Sequence, residues 1–186
     1  MLDSLPLERV VFTEEEIAER VRRVGEEISR DYRQERGPDA EVILVSVLKG
    51  GFVFLADLVR CLDLPVKVDF LAISGYGASQ GAPSGVRIVK DLTLSVYGRD
   101  VLVVEDIVDT GLTLSYILRN LKAREPREVK VCTFLDRAVS RIVPLRIDYR
   151  CFEVGEEFVV GYGLDYKQKW RNLRFVCTLQ GTGLGS

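Results

Sequence analysis

Residues 101–113, VLVVEDIVDTGLT, constrain this chain more than any other stretch. Four consecutive apolar residues, Val101 to Val104, suit a strand buried on both faces, the more so because three of them are β-branched. Three acids follow within five positions: Glu105, Asp106 and Asp109. Carboxylates crowded at the end of such a strand repel one another, so stability alone gives no reason to gather them there. Thr110-Gly111-Leu112-Thr113 then turns into an apolar helical pattern. A small-residue turn opening a helix offers bare backbone N–H groups and the positive end of a dipole, which together bind anions. Acids for sugar hydroxyls or a metal, beside amides for a phosphate, point to a phosphorylated sugar as ligand.

The segments around this stretch alternate between strand and helix patterns. Thr13 and Glu16 form a capping box, with Phe12 and Ile17 as a hydrophobic staple, and Ile17, Val21, Val24 and Ile28 fall on one helical face. The turn Arg36-Gly37-Pro38-Asp39 ends this helix. Buried-strand patterns follow at 42–47, 66–73, 86–89, 101–106 and 129–135, with helical runs at 52–62 and 112–123. Such alternation favours a parallel sheet flanked by helices. Residues 74–85, SGYGASQGAPSG, hold four glycines, three serines and a proline and read as a mobile loop. Beyond Arg137 the strand-like pieces become short, at 147–154, 158–160 and 174–179, fitting either a separate lobe or an edge of the sheet. Both chain ends, 1–7 and 181–186, read as frayed.

Composition narrows the chemistry. At 186 residues the chain has one domain's length and can bury a substantial core. A net charge of −2 gives no support for broad nucleic-acid or membrane-surface binding. The charged first 40 residues do not read as a signal peptide, and no apolar run approaches the roughly 18 residues of a membrane span. Cys61, Cys132, Cys151 and Cys177 lie far apart in apolar segments, which reads as reduced core residues of a cytoplasmic protein. There is no histidine, so acid–base work falls to carboxylate, lysine or tyrosine, and zinc is disfavoured.

The 101–113 stretch resembles the phosphoribosyl pyrophosphate signature of the type I phosphoribosyltransferases. VLKGGFVFLADLVR (47–60), the SGYG loop (74–77), EFVVGYGLDY (157–166) and WRNL (170–173) resemble the hypoxanthine-guanine branch of that family, in its order and spacing. The resemblance implies an α/β fold with a mainly parallel central sheet flanked by helices. It also implies a small hood lobe built from the chain ends (about 1–12 and 141–186), a core at about 37–140 and a flexible active-site loop. The implied reaction transfers 5-phosphoribose from phosphoribosyl pyrophosphate to a 6-oxopurine, hypoxanthine or guanine, giving IMP or GMP and pyrophosphate. Mg²⁺ is the implied cofactor and a homodimer or homotetramer the implied assembly, with no nucleic-acid or membrane partner.

The resemblance further implies these roles at the matching positions. Asp109, Thr110, Gly111, Leu112 and Thr113 cradle the 5-phosphate, and Glu105 and Asp106 face the ribose hydroxyls directly or through Mg²⁺. Asp109 lies near the purine N7 as general base or acid. In the Leu48-Lys49-Gly50-Gly51 turn, where relatives often hold a non-proline cis peptide, Lys49-Gly50 is implied to contact pyrophosphate together with Ser74, Tyr76 and Arg171. Arginine suits that task because its planar fork meets two phosphate oxygens. By the same resemblance Phe158 would stack on the purine, the Val159 backbone would help read its edge, and Asp165 would hold Mg²⁺.

Two departures stand out. Gly75 separates Ser74 from Tyr76 where the family usually has Ser-Tyr adjacent. Aligned on the downstream segment, Arg146 stands where a lysine usually donates to the purine 6-oxo group, which leaves the accepting base less defined than the donor. The alternatives are a xanthine-preferring enzyme, a pyrimidine-type transferase, which the aromatic 157–166 segment disfavours, or a nucleotide-binding regulator without catalysis. That last class usually lacks a metal or pyrophosphate group, whereas Lys49, Asp109, Asp165 and Arg171 are all present.

Overall fold

The computed structural model describes residues 7–76 and 85–179. Its elements run β1 (Leu7–Phe12), α1 (Glu14–Arg36), β2 (Val42–Leu48), α2 (Phe52–Cys61), β3 (Val66–Tyr76), β4 (Gly85–Lys90), β5 (Asp100–Val108), α3 (Leu112–Lys122) and β6 (Glu128–Asp136). After a 3-10 turn at 138–140 come β7 (Tyr149–Glu153), β8 (Val159–Val160) and β9 (Val176–Leu179).

The main sheet has the order β4-β3-β2-β5-β6-β7, parallel throughout except for the antiparallel edge strand β4. Because side chains alternate across a strand, the unbroken apolar runs of β2 and β5 feed two cores at once. Val42, Leu44, Leu102 and Val104 pack with the apolar faces of α1 and α2 on one side. Ile43, Val45, Val47, Val101 and Val103 pack with Leu114, Ile117 and Leu121 of α3 on the other. α1 starts as its sequence requires: the Thr13 hydroxyl accepts from the Glu16 N–H (3.2 Å) and the Glu16 carboxylate from the Thr13 N–H (2.8 Å). A second sheet, β1-β9-β8, is antiparallel and joins the start of the described chain to its end.

Three expectations change. β5 continues through Val108 because Ile107 and Val108 pair with Leu135 and Asp136 of β6, so Glu105 and Asp106 lie inside the strand and only Asp109 follows it. Part of the expected 74–85 loop is strand: Ser74, Gly75 and Tyr76 pair with Arg87, Val86 and Gly85, while residues 77–84 lie outside the described residues. β7, inside the range expected for the hood, instead extends the main sheet beside β6, since Tyr149 and Cys151 are buried in the core that α1 covers.

An aromatic chain ties the layers together. Phe134 of β6 is fully buried and packs against Phe54 of α2 (5.6 Å between centroids), Phe152 of β7 (5.7 Å) and Tyr162 (4.7 Å). Phe134→Ala is expected to cost about 3–5 kcal/mol of stability, the range for emptying a buried aromatic site. Denaturant titration checks this, and a loss below about 1 kcal/mol would contradict the packing described.

Candidate active site

Between β2 and β5 the strand order changes direction, since β2 leads outward to β3 and β5 leads outward to β6 on the other side. Ligands of open α/β sheets collect at such a point, beyond the strands' C-terminal ends. The two ends touch here: a Cβ built on Gly50 would stand 1.5 Å from Oδ2 of Asp106, so any side chain at 50 would displace that carboxylate. The Leu48–Lys49 peptide is cis, as the resemblance implies. A cleft of about 280 Å³ is lined by Gly50, Glu105, Asp106, Asp109, Thr110, Gly111 and Thr113, among others. A larger hollow of about 540 Å³, between α1, α2 and residues 171–174, shares only Arg171 with the expected site residues.

Helix ends differ according to whether they face this cleft. α1, away from it, has its capping box and three acids in its first turn, Glu14, Glu15 and Glu16. α2 and α3 start at Gly51 and Gly111, with no side-chain hydrogen bond from the cap residue and no acid in the first turn. At α3 the Thr110 hydroxyl accepts only a long 3.4 Å contact from the Leu112 N–H. Uncapped amides beside a cleft leave a cradle for an anion.

The acids opposite are costly. Glu105 is buried and its Oε1 has no hydrogen-bond partner. Burial, reinforced by the Asp106 charge, pushes its carboxyl well above the ordinary range. Burial also raises Asp106, against hydrogen bonds from backbone N–H groups and the opposing charge of Arg171. Asp109 turns one oxygen, Oδ1, into a buried position without a partner, and its Oδ2 lies 3.4 Å from Arg137. Among the described residues no three carboxylates or thiols stand close enough to cage a metal, so Glu105, Asp106 and Asp165 are not a preformed cluster.

The remaining expected residues arrive from the 158–171 segment. Arg171 pairs with Asp165 (2.5 Å) and donates to the Gly163 carbonyl (2.7 Å), while the second Asp165 oxygen accepts from the Gln168 N–H. Phe158 is partly buried and meets Tyr166 edge-on, with Val159 buried beside it in β8. Lys49 is exposed at the head of its turn. Ser74 sits in β3, next to the cleft-lining Ile73, and the Tyr76 side chain lies outside what the structure describes.

Arg146 is not part of this arrangement. Its side chain is 85% exposed and pairs with Asp148, whose other oxygen accepts from the Val131 N–H in the first half of β6. At about 3.3 Å per strand residue, that is roughly 16 Å from the end of β6 that faces the cleft. The cation the sequence reading missed is Arg137, directly after β6. It is largely buried, faces Asp109, and donates to the carbonyls of Gly155 (3.0 Å) and Glu157 (2.9 Å), next to Phe158. Its signal was positional: like Lys49 and Asp109, it is the first polar side chain past a strand's C-terminal end.

The raised Glu105 carboxyl has a stability consequence. The folded protein keeps a proton there that the unfolded chain releases above the ordinary value of 4.5, so its contribution falls as pH rises from that value towards the folded one. Each tenfold displacement in proton affinity amounts to about 1.4 kcal/mol. Glu105→Gln is therefore expected to raise Tm at neutral pH, by about 2–4 °C per kcal/mol recovered, and to flatten the fall of Tm above pH 5. Calorimetry across pH measures both, and an unchanged or lower Tm at pH 7 would contradict the burial argument.

Comparison with known proteins identifies the family of this chain. The model of a family described as phosphoribosyl transferase domain matches residues 13–167. The hypoxanthine-guanine phosphoribosyltransferase of Mycobacterium avium is 45% identical over 176 residues, covering 93% of this chain and 86% of that protein. That of Bacillus subtilis is 40% identical over 174 residues, covering 94% of each. The crystal structure of the hypoxanthine phosphoribosyltransferase of Trypanosoma cruzi matches with a TM-score of 0.85 at 39% identity, covering 94% of this chain and 98% of that one. The chain therefore belongs to the phosphoribosyltransferase family, with its type I α/β fold.

Proposed function

We propose that this protein, as one domain spanning residues 1–186, transfers 5-phosphoribose from phosphoribosyl pyrophosphate to N9 of hypoxanthine or guanine, releasing pyrophosphate with IMP or GMP. The observation that carries this reading is the pairing, in one cleft, of uncapped α3 amides with the partnerless carboxylate oxygens of Glu105 and Asp109. The amides of residues 110–113 bind the 5-phosphate, and Glu105 and Asp106 accept from the ribose hydroxyls. In the reaction the C1–O bond to pyrophosphate breaks and the C1–N9 bond forms, while Asp109 receives the proton the purine gives up. Lys49 and Arg171 hold the departing pyrophosphate, where fixed cations stabilise the charge that develops.

Mg²⁺ fits this donor set. The nearby protein ligands are all oxygens, and acids that do not form a closed cage suit an ion that keeps waters and substrate oxygens in its shell. Glu105, Asp106 and Asp165 are the residues that would hold it, and when bound it supplies positive charge to the leaving pyrophosphate. The purine lies against Phe158 and the Val159 backbone. Arg137, not Arg146, donates to the 6-oxo group, because its guanidinium already lies between Asp109 and the Glu157 carbonyl. Buried, unpaired thiols at Cys132, Cys151 and Cys177 fit a cytoplasmic setting. Assembly as a homodimer or homotetramer belongs to the same reading and is measured by light scattering.

Purified protein with phosphoribosyl pyrophosphate and Mg²⁺ is expected to make nucleotide from hypoxanthine and guanine, but not from adenine or uracil. No product with any base would overturn the reading, and turnover of xanthine alone would overturn the substrate assignment. Asp109→Asn is expected to lower turnover by about 10²–10⁴-fold. Arg137→Gln should raise KM for the purine by about tenfold or more, the scale of a charge-assisted hydrogen bond, with Arg146→Gln within about twofold of the parent. The reverse order of effects would restore Arg146 to the site.

A further inference from the structure

Gly161, Tyr162 and Gly163 hold three consecutive left-handed backbone conformations, with φ of 101°, 50° and 99°. Glycine adopts such values freely, but a bulky aromatic residue does not, and an outlier of this kind persists only where its surroundings over-determine it. The surroundings of Tyr162 do so from three directions. Its ring is 5% exposed and lies 4.7 Å from that of Phe134, on β6. Its hydroxyl donates to Oδ2 of Asp57 at 2.7 Å, on α2, and burial keeps that hydroxyl protonated as a donor. Its own N–H donates to the Leu173 carbonyl at 2.9 Å, within the WRNL segment.

Both expected halves of the pyrophosphate site lean on this residue and the next. The Gly163 N–H donates to the Arg171 carbonyl, and the Arg171 guanidinium donates back to the Gly163 carbonyl. On its other side, Gly163 abuts the turn before α2: a Cβ there would stand 2.3 Å from the Gly50 carbonyl oxygen. α2 begins directly after Lys49-Gly50-Gly51, so a bond from Tyr162 to Asp57 grips the helix that carries the turn. Asp57 is 36% exposed on its side chain and also pairs with the exposed Arg60. It can therefore regain water when the phenol is removed.

We infer that Tyr162 is a positioning residue: its hydrogen bond to Asp57 latches the 161–173 segment to α2 and holds Arg171 in register with the Lys49–Gly50 turn. The two halves of the pyrophosphate site then act as one rigid clamp. This rests on the proposed roles of Lys49 and Arg171. The purine side is braced separately, through Arg137 and the carbonyls of Gly155 and Glu157. The latch therefore governs pyrophosphate-bearing ligands and leaves the base alone.

Steady-state kinetics in both directions test this. Tyr162→Phe and Asp57→Ala are each expected to raise KM for phosphoribosyl pyrophosphate and for pyrophosphate by about tenfold, from loss of one charge-assisted hydrogen bond. KM for the purine should stay within about twofold. Asp57→Asn, whose amide oxygen still accepts from the phenol, should restore most of the affinity. The double variant Tyr162→Phe/Asp57→Ala should be no worse than either single one, because coupled partners are not additive. An equal rise in purine KM, unchanged pyrophosphate KM in both single variants, or full additivity would overturn the latch. If Tyr162→Phe fails to fold, the Asp57→Ala and Asp57→Asn pair decides the matter, since neither touches the ring. Lys49→Ala separates the two levels: unchanged pyrophosphate KM there would overturn the site reading itself, whereas a rise there without one in the latch variants would overturn only the latch.

Discussion

The parallel pairing of β2 with β5, from Ile43 opposite Val101 to Ser46 opposite Val104, is the interaction on which the rest depends. It places two strand ends from distant parts of the chain side by side. The Gly50 turn then presses on Asp106, and the α3 N-terminus opens towards the same cleft. The Ile107 N–H donates to the Asp106 carboxylate (2.9 Å), but that local bond does not choose where the acids lie in the sheet. They are carried to the switch point by the apolar residues before them, which are buried in cores on both faces of the sheet.

That placement sets stability against readiness to bind. Glu105 is buried without a partner for one oxygen, next to a second acid, and α3 lacks the capping that α1 uses to satisfy its first amides. Each feature is unfavourable in the unliganded protein and matches a group of a phosphorylated sugar. The cost is borne by neighbouring order. Arg141 donates to the carbonyls of Val108 and Asp109 and pairs with Asp136, so the turn that carries the acids is fixed from outside the cleft. A site built this way needs little rearrangement to receive charge, which is where fixed dipoles act most strongly.

The residues from 155 onwards reach the core by two separate routes. Arg137 ties the backbone before Phe158 to Asp109, on the side where a base would lie. Tyr162 and Gly163 tie the backbone before Arg171 to α2 and to the Gly50 turn. Two anchors far apart in sequence thus hold this one segment. Phe134 stands beneath the second of them and connects it to Phe54 and Phe152.

Local chemistry was legible in the sequence. The capping box at Thr13 and Glu16, the buried runs of β2 and β5, and the acid-then-glycine turn at 105–111 follow from periodicity and side-chain type within a dozen residues. A cluster of acids beside a helix start pointed to the donor sugar without any knowledge of the fold. What depends on distant partners was not legible. That β5 extends to Val108 is decided by Leu135 and Asp136, and that 149–153 joins the main sheet is decided by β6 and α1. Arg146 and Arg137 are the clearest case. Spacing along the chain favoured the first, but a cation's role depends on which strand end it stands at, and only the folded sheet puts Arg137 beside Asp109 and Arg146 out in water. The sequence by itself determined the kinds of groups available and their local geometry. The tertiary structure decided which of them meet, because the valine-driven register of the sheet acts over distances that no local pattern encodes.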